Sequence, residues 1–192
     1  MLGTSPRRRT VPAFAPWLSV RRAVTVSELN AYAAGYLAVS GYRVEPAYLT
    51  GARSFVAIRG GQVVGGFTLN VDPPFRTMMR MPEPDRRRLA HEFPADETVE
   101  LTCVWLAREA RGAVASATLW GALVWHGSHQ QRTNVVFGTD VDRLRLFYER
   151  IGPRLLYEGD VRVDGHKRHG WVYSISARRW PSTLARMIAG HA

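Results

Sequence analysis

Residues 99–116, VELTCVWLAREARGAVAS, carry the densest chemical signal in the chain: a β-branched, apolar run passes through Glu109, Ala110, Arg111 and Gly112 into small residues and then an apolar helical stretch. A strand that turns through small residues into a helix N-terminus makes a phosphate cradle, because the unpaired N–H groups of the first helical turn and the helix dipole converge on one spot. Arg108 and Arg111 flank that turn, and a guanidinium matches a phosphate bidentately. Arg108 also reads simply as a solvated loop charge.

Cys103 is the single cysteine, which excludes an internal disulfide framework and a multi-cysteine metal site. No histidine stands beside it to draw off the thiol proton, so it reads as a small buried hydrophobe before it reads as a nucleophile. Two histidine pairs, His126 with His129 and His166 with His169, have a three-residue spacing that metal sites use. Both fall in polar turns without a third ligand, and no metal is expected.

The chain has 192 residues, 46% of them hydrophobic and 22% charged, which fits one globular domain with tails. Its net charge of +10 implies a surface attractive to nucleic acid, anionic lipid, a phosphorylated cofactor or an acidic protein. The arginines are dispersed along the chain and no nucleic-acid reading motif is present, which ranks nucleic acid below the other partners. No apolar run is long enough to span a bilayer. Residues 1–17 read as a flexible basic tail and not as a signal peptide, because Pro12 and Pro16 break the short apolar part; a cytoplasmic location is the expectation.

The elements that must position this chemistry are legible from periodicity. A strand over 18–26 precedes a helix over 27–40, capped by Ser27, with Leu29, Tyr32, Tyr36 and Leu37 at helical spacing despite Gly35. The β-rich runs 55–58 and 63–69 flank Arg59, Gly60, Gly61 and Gln62 and predict a hairpin. A long proline-, methionine- and arginine-rich connection follows over 72–96, with one short helix at 83–91. Such a connection is placed to cover a pocket; Met78, Met79 and Met81 with Phe75 would line a soft one or fill the core. Then come a strand at 98–106, a helix at 113–127, a strand at 132–137, a helix at 140–151 and strands at 155–163 and 171–176. Residues 177–192 predict an amphipathic helix packed back on the domain.

This order is similar to that of the GNAT acyltransferase superfamily. The resemblance rests on the hairpin, on Glu100-Leu101-Thr102-Cys103-Val104-Trp105-Leu106 as the central splayed strand, on the turn at Glu109–Gly112, and on Leu146-Phe147-Tyr148-Glu149-Arg150-Ile151-Gly152 near the end. It implies an α+β fold: a mixed, mostly antiparallel sheet with a splayed central strand and helices on both faces, spanning residues 18–176. It implies further that Cys103, Val104 and Trp105 pair with the pantetheine arm of an acyl donor, a small case of strand addition. Arg111, Gly112, Ala113, Val114, Ala115 and Ser116 would hold its pyrophosphate, with Val114 standing where the family has a small residue. Glu100 would be the general base, directly or through water, and Tyr148 the acid that protonates the thiolate leaving group. On the residues alone, Glu100 is equally a carboxylate satisfied by an arginine, and Tyr148 a helix-face aromatic under the sheet.

The segment 63–106 also resembles the autoinducer-synthase and N-acyl amino acid synthase branch, whose members take acyl chains from acyl carrier protein, an acidic partner suited to a basic surface. The resemblance therefore implies an N-acyltransferase that moves an acyl group from acyl-CoA or an acyl-carrier-protein thioester to an amine of a small molecule or peptide. The competing expectation is a non-catalytic binding module on the same fold, its basic surface holding nucleic acid or an acidic protein. The acceptor, the acyl length and the oligomeric state are not readable from the sequence.

Overall fold

The computed structural model describes residues 17–182; most of the basic tail and most of the helix expected over 177–192 lie outside them. Strand β1 (Ser19–Arg22) leads into helix α1 (Val26–Ser40). The helix starts from Thr25 and not from Ser27, because Thr25 and Glu28 have the spacing of a reciprocal capping box, whereas Ser27 has Asn30 at the matching position. Glu28 also receives the Val24 N–H and the Arg21 guanidinium, and these contacts hold its carboxyl down at about 2. This diversion of the backbone ends β1 short of the expected residue 26.

Helix α2 (Pro46–Gly51), which the sequence reading missed, is one turn and a half begun by Pro46. Strands β2 (Arg53–Arg59) and β3 (Gln62–Asn70) form the expected hairpin, closed by Gly60 and Gly61, both at positive φ. Helices α3 (Arg76–Met79) and α4 (Glu83–Glu92) occupy the long connection. Strand β4 (Thr98–Leu106), helix α5 (Ala113–Ser128), strand β5 (Asn134–Thr139) and helix α6 (Asp142–Arg150) follow. The chain then folds into strands β6 (Arg154–Val163) and β7 (His166–Ser176). β7 begins five residues before the expected Trp171, because its first half projects into solvent and shows no apolar alternation. Its Asp164-Gly165 turn, both residues at positive φ, is the signal that marks it.

The seven strands run in the order β1-β2-β3-β4-β5-β7-β6, antiparallel except for β4 with β5. One core lies under α5 and α6, built on Phe67, Leu69, Val99, Leu101, Leu119 and Leu123. The opposite face is shared between a cluster under α1 and α2, with Tyr32, Tyr36, Leu49 and Trp105, and one under α3 and α4, with Phe75, Met78, Met81 and Leu89. Met78 and Met81 are thus core residues, while Met79 is 52% exposed. The histidine expectations need correction. His126 lies inside α5, its ring 4.2 Å from that of Phe55, and burial lowers its pKa; His166 and His169 lie on β7. Among the described residues no group of three or more potential metal ligands gathers, and no helix is long and apolar enough to cross a membrane.

Gly35 explains itself by packing. A Cβ there would stand 2.0 Å from Cη2 of Trp105, so α1 lies directly on the indole of the central strand. Gly35→Ala is expected to lower stability by about 1–3 kcal/mol through overpacking, against the ~1 kcal/mol that alanine gains over glycine in a helix interior. Chemical denaturation of Gly35→Ala, Trp105→Phe and the double variant should show strong coupling between the two sites; additive changes would contradict this account.

Candidate functional site

The site is built around an irregularity in β4. Against β3, Gly66 pairs with Trp105 and Thr68 with Thr102, so β4 holds one residue more than its partner over the same span. Cys103, at φ 53, absorbs the extra residue as a bulge. Its carbonyl accepts the buried Tyr32 hydroxyl at 2.6 Å. The bulge reverses the side-chain alternation. Val99 and Leu101 belong to the core under α5, whereas Cys103 and Trp105 belong to the cluster under α1. β4 also parts from β5 here: their parallel ladder comprises Thr98 with Asn134, Val99 with Val135 and Glu100 with Val136, and does not continue beyond.

A cavity of about 60 Å³ lies at this parting, lined by Tyr36, Thr102, Cys103, Arg76, Arg80 and Asp140 among others. Its wall mixes these polar groups with apolar ones such as Val161 and Trp171 in about equal measure, and it has room for a few waters or a small head group. On the other face of the sheet, an apolar gap of about 20 Å³ is walled by Leu101, Trp120, Phe137 and Tyr148. Tyr148 is buried with its ring edge-on to Phe137 at 4.9 Å, and burial drives its pKa well up, so the phenol keeps its proton.

Glu100 is fully buried and does not line the cavity. Its partners are not the arginine guanidinium expected as one alternative. The carboxylate accepts the backbone N–H of Arg76 at 2.9 Å, that of Thr77, and the Tyr48 hydroxyl at 2.9 Å. Tyr48 in turn lies 2.8 Å from the Thr102 hydroxyl. Thr102, Tyr48 and Glu100 therefore form a continuous hydrogen-bonded line from the cavity wall into the core. Burial first, and the Glu100 charge second, raise the Tyr48 phenol, which stays protonated. Cys103 donates no thiolate here: burial pushes its thiol up despite the Arg76 guanidinium 3.3 Å from Sγ.

The cradle expected at the start of α5 is open. Gly112 is the N-cap, with extended backbone and no side-chain cap, and nothing lies within 4 Å of the position its Cβ would take. Ala113 and Val114 are exposed, Val114 at 66%, Ala115 is buried, and Ser116 is half-buried with its N–H bonded to the Gly112 carbonyl. Arg111 turns back to give Nε to the Leu106 carbonyl at 3.1 Å, which fixes the turn and leaves its other nitrogens at the exposed end. Val104 is half-buried on the α5 side. The structure thus brings Cys103 and Trp105 to the parting of the strands and residues 111–116 to one helix end, and sets Tyr148 on the far side of the sheet from the cavity. Tyr48, Thr102, Arg76, Arg80 and Asp140 were not singled out from the sequence. They come from α2, β4, α3 with the residue that caps it, and the turn between β5 and α6, and meet through tertiary packing alone.

A scan against models of protein families finds no match, and a search of curated proteins finds none. Solved structures do match. FeeM, an N-acyl amino acid synthase from uncultured soil microbes, aligns with a TM-score of 0.68 at 14% identity, over 88% of this chain and 94% of its own. NAA60 of Arabidopsis thaliana, solved in complex with acetyl-CoA, gives 0.58 at 13% identity, over 83% and 98%. A ribosomal-protein-alanine N-acetyltransferase from Brucella melitensis gives 0.56 at 17% identity, over 82% and 99%. Likeness at these identities is a likeness of backbone, and with its bulged, splayed central strand and seven-stranded mixed sheet this chain has the fold of the GNAT acetyltransferases.

Proposed function

We propose that this chain is an N-acyltransferase that moves an acyl group from a thioester, acyl-CoA or acylated carrier protein, to the amine of a small molecule or peptide. The observation that carries the reading is the parting of β4 and β5, which has a cavity walled in part by polar groups on one face of the sheet and an uncapped helix N-terminus at its outer end. The donor phosphates sit at Gly112–Ser116, with Arg111 beside them, and the pantetheine arm lies along Cys103–Trp105. The amine enters from the cavity. Its nitrogen attacks the thioester carbonyl carbon, a backbone N–H of the splayed strand steadies the oxyanion, and the carbon–sulfur bond breaks.

Three proton transfers are needed: the nitrogen sheds one proton before it attacks and a second as the amide forms, and the sulfur gains one. The departing thiolate takes the proton that burial holds on Tyr148, and the second nitrogen proton, released to solvent, restores the phenol. The proton shed by the ammonium passes to the Thr102 hydroxyl, whose own proton moves to Tyr48, whose proton moves to Glu100. Glu100 in this reading acts at the end of a relay, and its two backbone hydrogen bonds also hold α3 against the cavity.

Thermal unfolding tests donor binding. Acetyl-CoA, a long-chain acyl-CoA or an acylated carrier protein at about a hundredfold its Kd should add about 2.7 kcal/mol of stability; a flat response to all three would overturn the proposal. Val114 stands in the first turn of α5 where the resembled family has a small residue that lets a phosphate approach closely, so Val114→Gly is expected to tighten coenzyme A several-fold and leave carrier-protein binding unchanged. Tyr148→Phe should lower kcat about 10²- to 10⁴-fold with little change in KM. For the relay, Thr102→Val and Tyr48→Phe should each lower kcat at least tenfold while Thr102→Ser restores it; equal activity of Thr102→Val and Thr102→Ser would remove the relay.

A further inference from the structure

At about 60 Å³ the cavity holds a few waters, so a larger ligand enters only where the wall can give way. Most of the wall is fixed by strand pairing: Thr102 stands on β4, Gly138 and Thr139 on β5, Val161 on β6, and Trp171 and Val172 on β7. Arg76, Arg80 and Asp140 are held differently. Each meets the connection between α1 and α2, residues 41–45. The Arg76 guanidinium spans Cys103 Sγ, at 3.3 Å, and the Arg43 carbonyl. The Arg80 guanidinium packs 5.9 Å from the centre of the Tyr42 ring, and the Asp140 carboxylate accepts the Tyr42 hydroxyl.

That connection is a strap fastened by side chains. Among the described residues Tyr42, Arg43 and Val44 make no backbone–backbone hydrogen bond. Tyr42 reaches Asp140, 98 residues on, and Arg168 of β7 packs 5.3 Å from its ring centre while lying 3.7 Å from the same carboxylate. The Arg43 N–H donates at 3.2 Å to Oδ2 of Asp164, in the β6–β7 turn 121 residues on. Arg43 and Asp164 are both exposed, so water competes for this second contact. At one end of the strap Gly41 has φ 76, which glycine adopts without strain, and at the other Val44 is buried with Tyr36 and Leu49. Two latch residues thus lie between a hinge and an anchor, and a segment held this way opens at far lower cost than a paired strand.

We propose that residues 41–45 are a gate on the cavity, latched by Tyr42 on Asp140 and by Arg43 on Asp164. Release of the latch frees Asp140, Arg80 and the Arg76 guanidinium that joins the strap to Cys103, and these side chains part to admit a ligand larger than the closed cavity holds. The same contacts re-form once the ligand is in place, so opening is a step of binding. The gate concerns access alone and stands apart from the N-acyltransferase reading; within that reading it keeps water from the thioester until the amine has entered.

Cys103 is the single cysteine, lines the cavity and is 5% exposed, so its alkylation by iodoacetamide reports opening. The full chain is labelled at fixed pH and followed by mass spectrometry, with hydrogen exchange read in parallel over residues 41–45 and over β3 and β4. Tyr42→Phe removes one latch and keeps the ring; Asp164→Gly removes the other and keeps the left-handed turn. Each substitution is expected to speed alkylation roughly fivefold or more and exchange over 41–45 about tenfold, with β3 and β4 unchanged. The two together should exceed either alone. Alkylation at the wild-type rate in the folded variants would overturn the gate, as would acceleration matched by equal loss of protection in β3 and β4, which is loosening of the whole domain. Neither readout uses a substrate: absence of acyl transfer from any donor overturns the acyltransferase reading and leaves the gate standing, whereas unchanged labelling does the reverse.

Discussion

A single extra residue in the central strand governs the site. In an unbroken strand, residues two apart share a face, and Thr102 and Cys103 would lie on opposite sides of the sheet. The left-handed backbone at Cys103 shifts the phase by one, so both line the same cavity, and the same turn of the chain draws β4 away from β5 after Glu100. A non-glycine residue held in that conformation costs about 1–3 kcal/mol. Its neighbours offset the cost: Tyr32 donates to the Cys103 carbonyl from beneath, and β3 answers with an irregularity of its own at Gly66, where a Cβ would meet the Phe55 carbonyl at 2.1 Å. The bulge, Tyr32 and Gly66 are one device, and the cleft between the strands is its product.

The second constraint is the burial of Glu100. A carboxylate taken wholly from water is tolerated when hydrogen bonds replace its hydration, and two of the three that do so here come from the backbone of α3. That helix has four residues, far too few to persist alone. It stands because its N–H groups at Arg76 and Thr77 are held by Glu100 below and its hydrophobic side chain Met78 enters the core with Phe75, Met81 and Leu89. Arg76 and Arg80, carried on and just after α3, inherit their places from this anchor. The charge at the bottom of the core and the charges on the cavity wall are thus mechanically linked.

Much of the fold was legible because it is written in short-range patterns. The Gly60-Gly61 hairpin, the apolar run of β4 and the small-residue start of α5 each announce themselves within ten residues. The first turn of α1 was placed two residues late because Ser27 is as good a cap as Thr25 until the partner at Glu28 is counted. The outer half of β7 was missed because a strand solvated on both faces has no alternation to read. The site divides the same way. Glu100 and Tyr148 drew notice as polar groups in apolar segments, but the partners of Glu100 lie 52 residues away at Tyr48 and 24 and 23 away at Arg76 and Thr77. Arg80 is one of 26 basic residues, and nothing local distinguishes it; only the packed structure shows that its nitrogen is buried without an acceptor.

The two faces of the cleft also assign directions. The cavity under α3 presents guanidinium, hydroxyl and carboxylate groups beside apolar ones such as Val161 and Trp171, whereas the gap under α5 and α6 is walled by Leu101, Trp120, Phe137 and the ring of Tyr148. In the proposed reaction the acceptor is polar and loses a proton, while the donor brings an acyl chain and a thiol that gains one. The polar side leads through Thr102 and Tyr48 to a base, and the apolar side holds a phenol kept protonated by burial. Each substrate thus meets the surface that matches its solvation and the group that matches its proton demand. The buried methionines take no part in this division: Met78 and Met81 fill the core between α3, α4 and the outer strands, so space for an acyl chain has to open on the α5 side, where the gap is small and its lining aromatic. In the proposed reaction a longer acyl chain would therefore require Phe137 or half-buried Trp120, 5.5 Å from Phe147, to move.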